Sequence, residues 1–373
     1  MTSQNVFDPL TQPRRRARAL GIAPGILSPG PRNCITDVAG VRVGHFTLIE
    51  GGDIRTGATA ILPHGGNLFQ DKVPAGLAVG NGFGKLAGST QLVELGELET
   101  PILLTNTLAV PRALDALLDY TLSQPGNERV GSVNAVAAET NDGWLNDIRV
   151  RRLEREHFLA AIAAAVDAPV VEGAVGAGTG TIAFGWKGGI GVSSRILPPA
   201  LGGYVLGVLA QTNFGGVLQM DGLPVGKRLG QYYLKYQLER PPAGPLNSAD
   251  GSVILVLATD APLSDRNLTR LARRALAGLA RTGSAFSDGS GDYALAFSTA
   301  ETVRRTAERR GRVTVYPEVA SSQMSPLFQA AIEATEEAIL NSLCMAETMS
   351  GYRGTVQALP LEEVEKMNRP AAP

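Results

Sequence analysis

The chain has 373 residues, of which 44% are hydrophobic and 18% charged, a composition typical of a globular protein with a sizeable core. Its formal net charge of -1 argues against a nucleic acid or an anionic membrane as its partner. No run of the sequence approaches the roughly 18 consecutive apolar residues that a membrane span needs. The 44 glycines stand among valine, isoleucine, leucine and alanine, which indicates tight turns and close backbone contacts rather than disorder.

Cysteine and histidine are too scarce to predict a metal site. Cys34 and Cys344 match no metal spacing and are interpreted as buried thiols of a reducing compartment. His157 lies in a charged, helix-like stretch. A Ser-His-Asp triad that uses His45 or His64 stays open, but no motif supports it. We therefore expect no metal and no cofactor.

The N-terminal segment does not resemble a secretion signal. Four arginines within residues 14–18 precede a stretch rich in glycine and proline over residues 19–31, where a signal peptide would carry an apolar core. We expect a cytoplasmic protein with a disordered first dozen residues and an irregular lead-in over residues 20–31.

Alternating and continuous apolar runs predict a series of strands and helices. In the first half, the predicted strands cover residues 33–38, 41–48, 58–62, 101–107 and 133–139, and the predicted helices cover residues 91–95, a segment from Pro111, and residues 153–166. In the second half, the predicted strands cover residues 204–213, 252–259 and 293–297, and the helices begin at Ser264 or Asp265 and at Ser325. The last helix runs to Met345, and Phe328, Ile332, Ile339 and Leu343 predict one apolar face along it. No repeat or linker divides the chain, so we expect one α/β domain over residues 1–373, with helices on its outer faces.

Glycines are densest between residues 173 and 194. The spacing Gly176-x-Gly178-x-Gly180 superficially suggests a phosphate-binding loop. It lacks the third glycine of a dinucleotide site and the lysine of a P-loop. Hairpin turns and close-packed strands are the better interpretation.

Ser252 is the candidate nucleophile. A loop rich in proline and glycine leads to Gly251, and Ser252 then opens the most concentrated β-type apolar run of the chain. A serine hydroxyl needs a base, and histidine is scarce here. If the Gly251–Ser252 bond were cut, the new α-amine, with a pKa of about 7.7–8.0, would serve as that base. A serine at the entry of an ordinary strand is the alternative.

Residues 250–263 resemble the start of the β-chain in a family of self-cleaving aminopeptidases, which comprises the L-aminopeptidase/D-amidase-esterases (the DmpA type) and the β-peptidyl aminopeptidases. The resemblance covers about residues 20–350 and includes residues 33–38, 43–45, 82–88, 96–101, 104–107, 139–143, 188–191, 211–215 and 287–292.

The resemblance implies a fold, a processing event and an assembly. The fold would be α/β (α+β), a four-layer αββα sandwich related to the N-terminal-nucleophile hydrolases and the ornithine acetyltransferases. Self-cleavage would give an α-chain of residues 1–251 and a β-chain of residues 252–373, assembled as a homotetramer of αβ units. The substrates would be short peptides or aminoacyl amides and esters.

The resemblance also implies roles for individual residues. Ser252 would attack the substrate carbonyl, Asn213 would donate to the oxyanion, and Ser290 with Asp292 would hydrogen-bond and orient the nucleophile. Glu139 would hold the free amine of the substrate, as a carboxylate can.

One position departs from the family pattern. Trp144 stands where some members have a tyrosine, and its indole is a donor only. We expect it to contact substrate by polarising a carbonyl or by lining the pocket.

Two other function classes compete with a hydrolase. An acyltransferase of the ornithine-acetyltransferase type has a similar architecture, but that group resembles a threonine-nucleophile family, and Ser252 argues against it. A non-catalytic binding protein would keep its chain uncut.

Overall fold

A computed structural model describes residues 13–239 and 251–369. The predicted disorder of the first dozen residues and most of the loop before Gly251 therefore lie outside the described residues. The strands are β1 Arg42–Glu50, β2 Ile54–Leu62, β3 Asp71–Gly82, β4 Leu86–Ala87, β5 Glu97–Leu98, β6 Ile102–Asn106, β7 Val136–Thr140, β8 Ile182–Ala183, β9 Trp186–Lys187, β10 Ile190–Ile196, β11 Val205–Asn213, β12 Ser252–Thr259, β13 Gly291–Ser298, β14 Arg305–Thr306, β15 Met349–Gly351 and β16 Gly354–Val356. The α-helices are α1 Ser89–Glu94, α2 Val110–Leu122, α3 Arg155–Ala163, α4 Val225–Arg228, α5 Lys235–Glu239, α6 Asp265–Arg281, α7 Ala307–Arg310, α8 Ser325–Met345 and α9 Leu361–Asn368.

Two mixed sheets form the middle of the molecule. The first has the strand order β1-β2-β6-β7-β4, and the second has the order β10-β11-β12-β13-β3-β14 with β5 paired to β3. The β6–β7 and β12–β13 pairs are parallel, whereas the other neighbours in these sheets are antiparallel. Strand β12 is thus hydrogen-bonded on both edges.

Three apolar clusters separate four layers. One cluster joins α2 and α3 to the first sheet, one lies between the two sheets, and one joins α6 and α8 to the second sheet. Strand β12 contributes to two of them: Ile254, Val256 and Ala258 pack between the sheets, and Val253, Leu255 and Leu257 pack against the helices. Burial on both faces explains its continuous apolar run. The predicted four-layer αββα architecture is confirmed.

The first predicted strand, over residues 33–38, is wrong. Residues Ile35–Asp37 form a 3-10 helix instead. The Asp37 carboxylate accepts the N–H groups of Arg32 (3.1 Å) and Cys34 (3.1 Å), and Asn33 has a φ of 48°. These local side-chain hydrogen bonds outcompete strand pairing.

Helix α8 has the predicted bounds, and Phe328, Ile339 and Leu343 of the predicted apolar face pack in the cluster against the second sheet, but the helix is also buried on other sides. Glu333 and Glu337 are fully buried because Arg195, also fully buried, bonds both of them at 3.2 and 2.8 Å. Arg18 adds a second cation on Glu337. The helix is therefore enclosed by strands on one side and by the N-terminal segment on another.

The dense glycines between residues 173 and 194 reflect close packing, as the sequence indicates. A Cβ on Gly178 would lie 2.5 Å from the backbone nitrogen of Ile190, and one on Gly189 would lie 2.2 Å from the carbonyl oxygen of Gly173. Cys34 and Cys344 are both free and buried, as predicted. In the described ranges, no helix combines the length and the apolar character that crossing a bilayer requires.

Candidate active site

The candidate nucleophile lies where three strands of the second sheet end together. Ser252 opens β12 and is opposite Asn213 of β11 on one side and Gly291 of β13 on the other. Directly opposed residues of antiparallel strands project to the same face of a sheet. The side chains of Ser252 and Asn213 are therefore neighbours. The next residue back, Gly251, is packed so tightly that a Cβ there would lie 2.0 Å from the carbonyl oxygen of Asn213.

The backbone N–H of Gly291 connects the nucleophile to the peptide bond before it. It donates to the carbonyl oxygen of Gly251 at 3.1 Å and to Oγ of Ser252 at 3.2 Å. Ser252 is almost completely buried, so water competes little for these contacts. A donor on the Gly251 carbonyl withdraws electrons from its carbon and stabilises negative charge that develops on its oxygen. The site is thus suited to attack by the Ser252 hydroxyl on its own preceding carbonyl.

The Asn213 side chain is held in one orientation. Its Oδ1 accepts the backbone N–H of Ile182 at 2.9 Å, which fixes the position of Nδ2 on the opposite side of the amide. Among the described residues, Nδ2 has no hydrogen-bond acceptor, and Asn213 is itself nearly buried. A fixed, unused amide donor beside a nucleophile can bind an oxyanion.

Ser290 and Asp292 bond to each other. Ser290 Oγ donates to Asp292 Oδ1 at 2.6 Å. The register pairs Asp292 with Val253, whose side chain packs on the helix side of the sheet. The pair therefore reaches Ser252 through the backbone of Gly291 between them. Its role in orienting the nucleophile stays a prediction.

The ionised form of Asp292 is unfavourable in this position. It is fully buried, and its Oδ2 has no hydrogen-bond partner within the described residues. Burial raises the pKa of Asp292 to about 6, against the opposing effect of the Ser290 hydrogen bond. The folded protein therefore binds this proton more tightly than the unfolded chain does. The ionised form costs stability at neutral pH.

We expect Asp292→Asn to stabilise the uncut protein above pH 6 and to leave it unchanged near pH 4. A raised folded-state pKa makes stability fall as the pH rises from about 4 to about 6, and the penalty is of the order of 2–3 kcal/mol above that window, at about 1.4 kcal/mol per pKa unit. The free energies of urea unfolding at pH 4 and pH 8 measure this penalty when proteins with and without Asp292→Asn are compared. Both proteins carry Ser252→Ala, which keeps the chain uncut. Asp288→Asn is the control, because Asp288 carries an exposed carboxyl in the same turn. Equal stabilities at pH 8 of the proteins with and without Asp292→Asn would contradict the prediction.

Glu139 closes the site from the first sheet. It is the buried penultimate residue of β7, and its two oxygens accept the Lys85 backbone N–H (3.1 Å) and the Thr107 hydroxyl. Burial raises the pKa of Glu139, while the bond from Thr107 and the charge of Lys85 oppose the shift. The half-exposed Lys85 ammonium lies 3.9 Å from Oε1, so this carboxylate already has a cation beside it. Phe83, two residues earlier, donates its N–H to the carbonyl oxygen of Ser290 at 3.1 Å and thereby links Glu139 to the nucleophile's strand end.

Trp144 lies in the loop that follows β7. Its side chain is half-exposed, and its carbonyl oxygen accepts the N–H of Arg353 at 3.0 Å. The loop that carries it is anchored by the buried Asp142, which accepts from Thr56 (2.6 Å) and Asn146 (3.0 Å). The predicted contact of Trp144 with substrate stays a prediction.

Two groups near the candidate nucleophile were not predicted from the sequence. One is the Gly291 N–H, a backbone group that carries no sequence signal. The other is Lys187, whose fully buried ammonium lies behind Asn213. A lysine inside a run of glycine and apolar residues was the only hint of it.

Comparisons with known proteins agree on one family over nearly the whole chain. Residues 33–357 match the family model of peptidase family S58. The β-peptidyl aminopeptidase BapA of Sphingosinicella microcystinivorans is 41% identical over 366 residues, which cover 94% of this chain and 90% of the relative. A solved structure from Pyrococcus horikoshii OT3 is 46% identical with a TM-score of 0.85, and the match covers 95% of this chain and 98% of that one. The L-aminopeptidase D-Ala-esterase/amidase of Ochrobactrum anthropi, described as a prototype for the serine aminopeptidases and a variant among the Ntn hydrolase fold, is 34% identical with a TM-score of 0.84 and the same coverages.

Proposed function

The chain belongs to peptidase family S58, and we propose that this aminopeptidase releases N-terminal amino acids from short peptides, amides or esters through Ser252, after cutting itself before that residue. The observation that carries the proposal is the Gly291 N–H shared between the Gly251 carbonyl and the Ser252 hydroxyl. These contacts support the proposal because the Gly251 carbonyl would be the electrophile of self-cleavage, the Ser252 hydroxyl its nucleophile and the Gly291 N–H the donor that stabilises the developing charge.

Self-cleavage proceeds in two balanced steps. Ser252 Oγ bonds to the Gly251 carbonyl carbon, the C–N bond breaks, and the Ser252 nitrogen takes up the hydroxyl proton to become an amine. Water then hydrolyses the resulting ester, which leaves a carboxylate on Gly251 and restores the Ser252 hydroxyl. The fold supports survival of this cut, because β12 is paired with β11 and β13 along its whole length. The single domain of residues 1–373 then consists of an α-chain, 1–251, and a β-chain, 252–373.

Substrate hydrolysis uses the same groups in a second cycle. The Ser252 α-amine takes the proton from Oγ as the hydroxyl attacks the substrate carbonyl. The Asn213 Nδ2 donates to the developing oxyanion, and the Ser290–Asp292 pair holds Gly291 against the nucleophile. The leaving group departs with the proton, and water hydrolyses the acyl-Ser252 ester. Glu139 holds the ammonium group of the substrate, and Trp144 borders the pocket.

A substrate panel tests the activity directly. We expect aminoacyl amides and p-nitroanilides with a free amine to be hydrolysed to the free amino acid, and their N-acetylated counterparts to be poor substrates. L-, D- and β-aminoacyl members of the panel define the acyl preference. Transfer of the acyl group to an added amine in preference to water would favour the acyltransferase alternative instead.

Glu139→Gln is expected to weaken the use of free-amine substrates by about 10–100-fold in kcat/KM, because a hydrogen bond to a charged group contributes about 1.5–3 kcal/mol. N-acetylated substrates carry no ammonium, so their slow hydrolysis should change little. Glu99→Gln is the matched control, since Glu99 is another buried glutamate with a lysine partner, Lys72 at 2.5 Å. Equal losses on both substrate classes would refute this role for Glu139.

We also propose that the enzyme is cytoplasmic and assembles as a homotetramer of αβ units. The two free, buried cysteines are consistent with a reducing compartment, and the tetramer follows from the resemblance to self-cleaving aminopeptidases. Light scattering coupled to size-exclusion chromatography tests the assembly, for which we expect four copies of each chain. A particle that contains one α-chain and one β-chain would contradict it.

A further inference from the structure

We propose that Lys187 is a positioning residue for the reaction, which holds the peptide group that orients Asn213 toward the oxyanion. The inference rests on the proposed function, because it assigns Asn213 the oxyanion role. It adds a residue outside the strand ends that carry Ser252, Asn213 and Gly291.

The Lys187 ammonium binds three backbone carbonyl oxygens. Nζ donates to Gly178 (2.9 Å), Thr181 (2.9 Å) and Gly188 (2.7 Å), and the residue is fully buried. The three acceptors lie on both sides of the β8–β9 hairpin, so one side chain fixes the segment 178–188. Three acceptors match the three N–H bonds of an ammonium, whereas a neutral amine would turn its lone pair toward one of the oxygens.

One peptide group passes the effect of Lys187 to Asn213. The carbonyl oxygen of Thr181 accepts from Lys187, and the N–H of the same peptide, that of Ile182, donates to Asn213 Oδ1 at 2.9 Å. Hydrogen bonds in series polarise one another, so the ammonium strengthens the Ile182 donor. The Asn213 amide is thereby held with Nδ2 toward the ligand side and is itself made a better donor.

The electrostatic setting of Lys187 differs from that of the other large buried cation. Arg195 is neutralised by the carboxylates of Glu333 and Glu337. Lys187 has only carbonyl dipoles as direct partners among the described residues, and the buried Asp142 is the one titratable group that acts on it. Burial lowers the pKa of Lys187 to about 7, while Asp142 opposes the shift. A buried cation without a direct carboxylate partner lowers the stability of the folded protein. The proposed effect of Lys187 on Asn213 gives a functional reason for a cation at this position.

A double-mutant cycle distinguishes positioning from general stabilisation. We expect Lys187→Met to lower kcat by about 10–100-fold, which is less than the 10²–10³ that removal of an oxyanion donor itself costs, with little change in KM. In the Asn213→Ala background, the same substitution should lower kcat less than about twofold, because the residue through which Lys187 acts is gone. Lys72→Met, which removes a salt-bridged lysine elsewhere, is the control and should keep kcat in both backgrounds.

Several outcomes would overturn the inference. Losses that multiply in the double variant, or an unchanged kcat in Lys187→Met, would show that Lys187 does not act through Asn213. Lys187→Gln, which keeps two N–H donors, is the second variant if the methionine chain fails to fold in a thermal melt. If both variants unfold, or if both stay uncut while Asn213→Ala is cut, Lys187 serves folding or processing rather than Asn213. Failure of the proposed function itself would look different, since the wild-type protein would then stay uncut or hydrolyse no aminoacyl amide or ester.

Discussion

Replacing Ser252 with alanine leaves a single chain of 373 residues and abolishes aminopeptidase activity. The alanine has no hydroxyl to attack the Gly251 carbonyl, so no N-terminal amine forms at residue 252. Both the nucleophile and its base are lost in one substitution. Activity should fall to background, because the donors that remain have no reacting group to assist.

Intact-mass spectrometry checks this result. The wild-type protein should give chains of 251 and 122 residues, the second beginning at Ser252. Ser298→Ala is the matched control, since Ser298 is a buried serine in the neighbouring strand β13 whose hydroxyl bonds the Ala261 carbonyl. That variant should be cut normally. A wild-type protein that stays one chain and yet hydrolyses aminoacyl amides would falsify the N-terminal-serine mechanism.

The uncut Ser252→Ala protein should fold as the wild type does. The Gly291 N–H keeps its bond to the Gly251 carbonyl when the hydroxyl is removed, so no buried donor is stranded. Strand β12 keeps its apolar contacts on both faces. We therefore expect a change in unfolding free energy within about 1 kcal/mol, which would separate loss of chemistry from loss of structure.

The strands around the site were predictable because their apolar residues are contiguous in the sequence. Residues 204–213 and 252–259 were expected as strands, and β11 and β12 match those bounds closely. The strand predicted over residues 33–38 was wrong because hydrogen bonds that the Asp37 carboxylate accepts from nearby backbone N–H groups outweigh β propensity, which is only a weak preference. The burial of Glu333 and Glu337 in α8 was not predicted, because their partner, Arg195, is more than 130 residues away in sequence.

The reactive arrangement was predictable only in part. Polar residues at the ends of apolar strands, such as Ser252 and Asn213, are visible in the sequence, and the family resemblance named them. The register that sets Asn213 opposite Ser252 depends on pairing across the intervening loop, and pairing is a tertiary property. The Gly291 N–H is a backbone group, and the three acceptors of the Lys187 ammonium are backbone carbonyls. Backbone groups leave no pattern in the sequence, so neither set of contacts could be predicted from it.

Asn213→Ala is expected to lower kcat by about 10²–10³-fold, which is the usual cost of one oxyanion donor, with KM nearly unchanged. The reason is that Nδ2 gains its acceptor only when the substrate carbonyl carries negative charge. Self-cleavage should persist in this variant, because the donor on the Gly251 carbonyl is the Gly291 N–H rather than the Asn213 amide.

The expected Asn213→Ala protein is therefore cut but slow, in contrast to the uncut and inactive Ser252→Ala protein. Mass spectrometry and steady-state kinetics on one preparation measure both properties. Asn213→Asp tests the chemistry further, since a carboxylate has no N–H to offer and its charge repels an oxyanion; it should be at least as slow as the alanine variant. An Asn213→Ala chain that stays uncut would contradict the division of donors, because processing would then need Asn213 as well as Gly291.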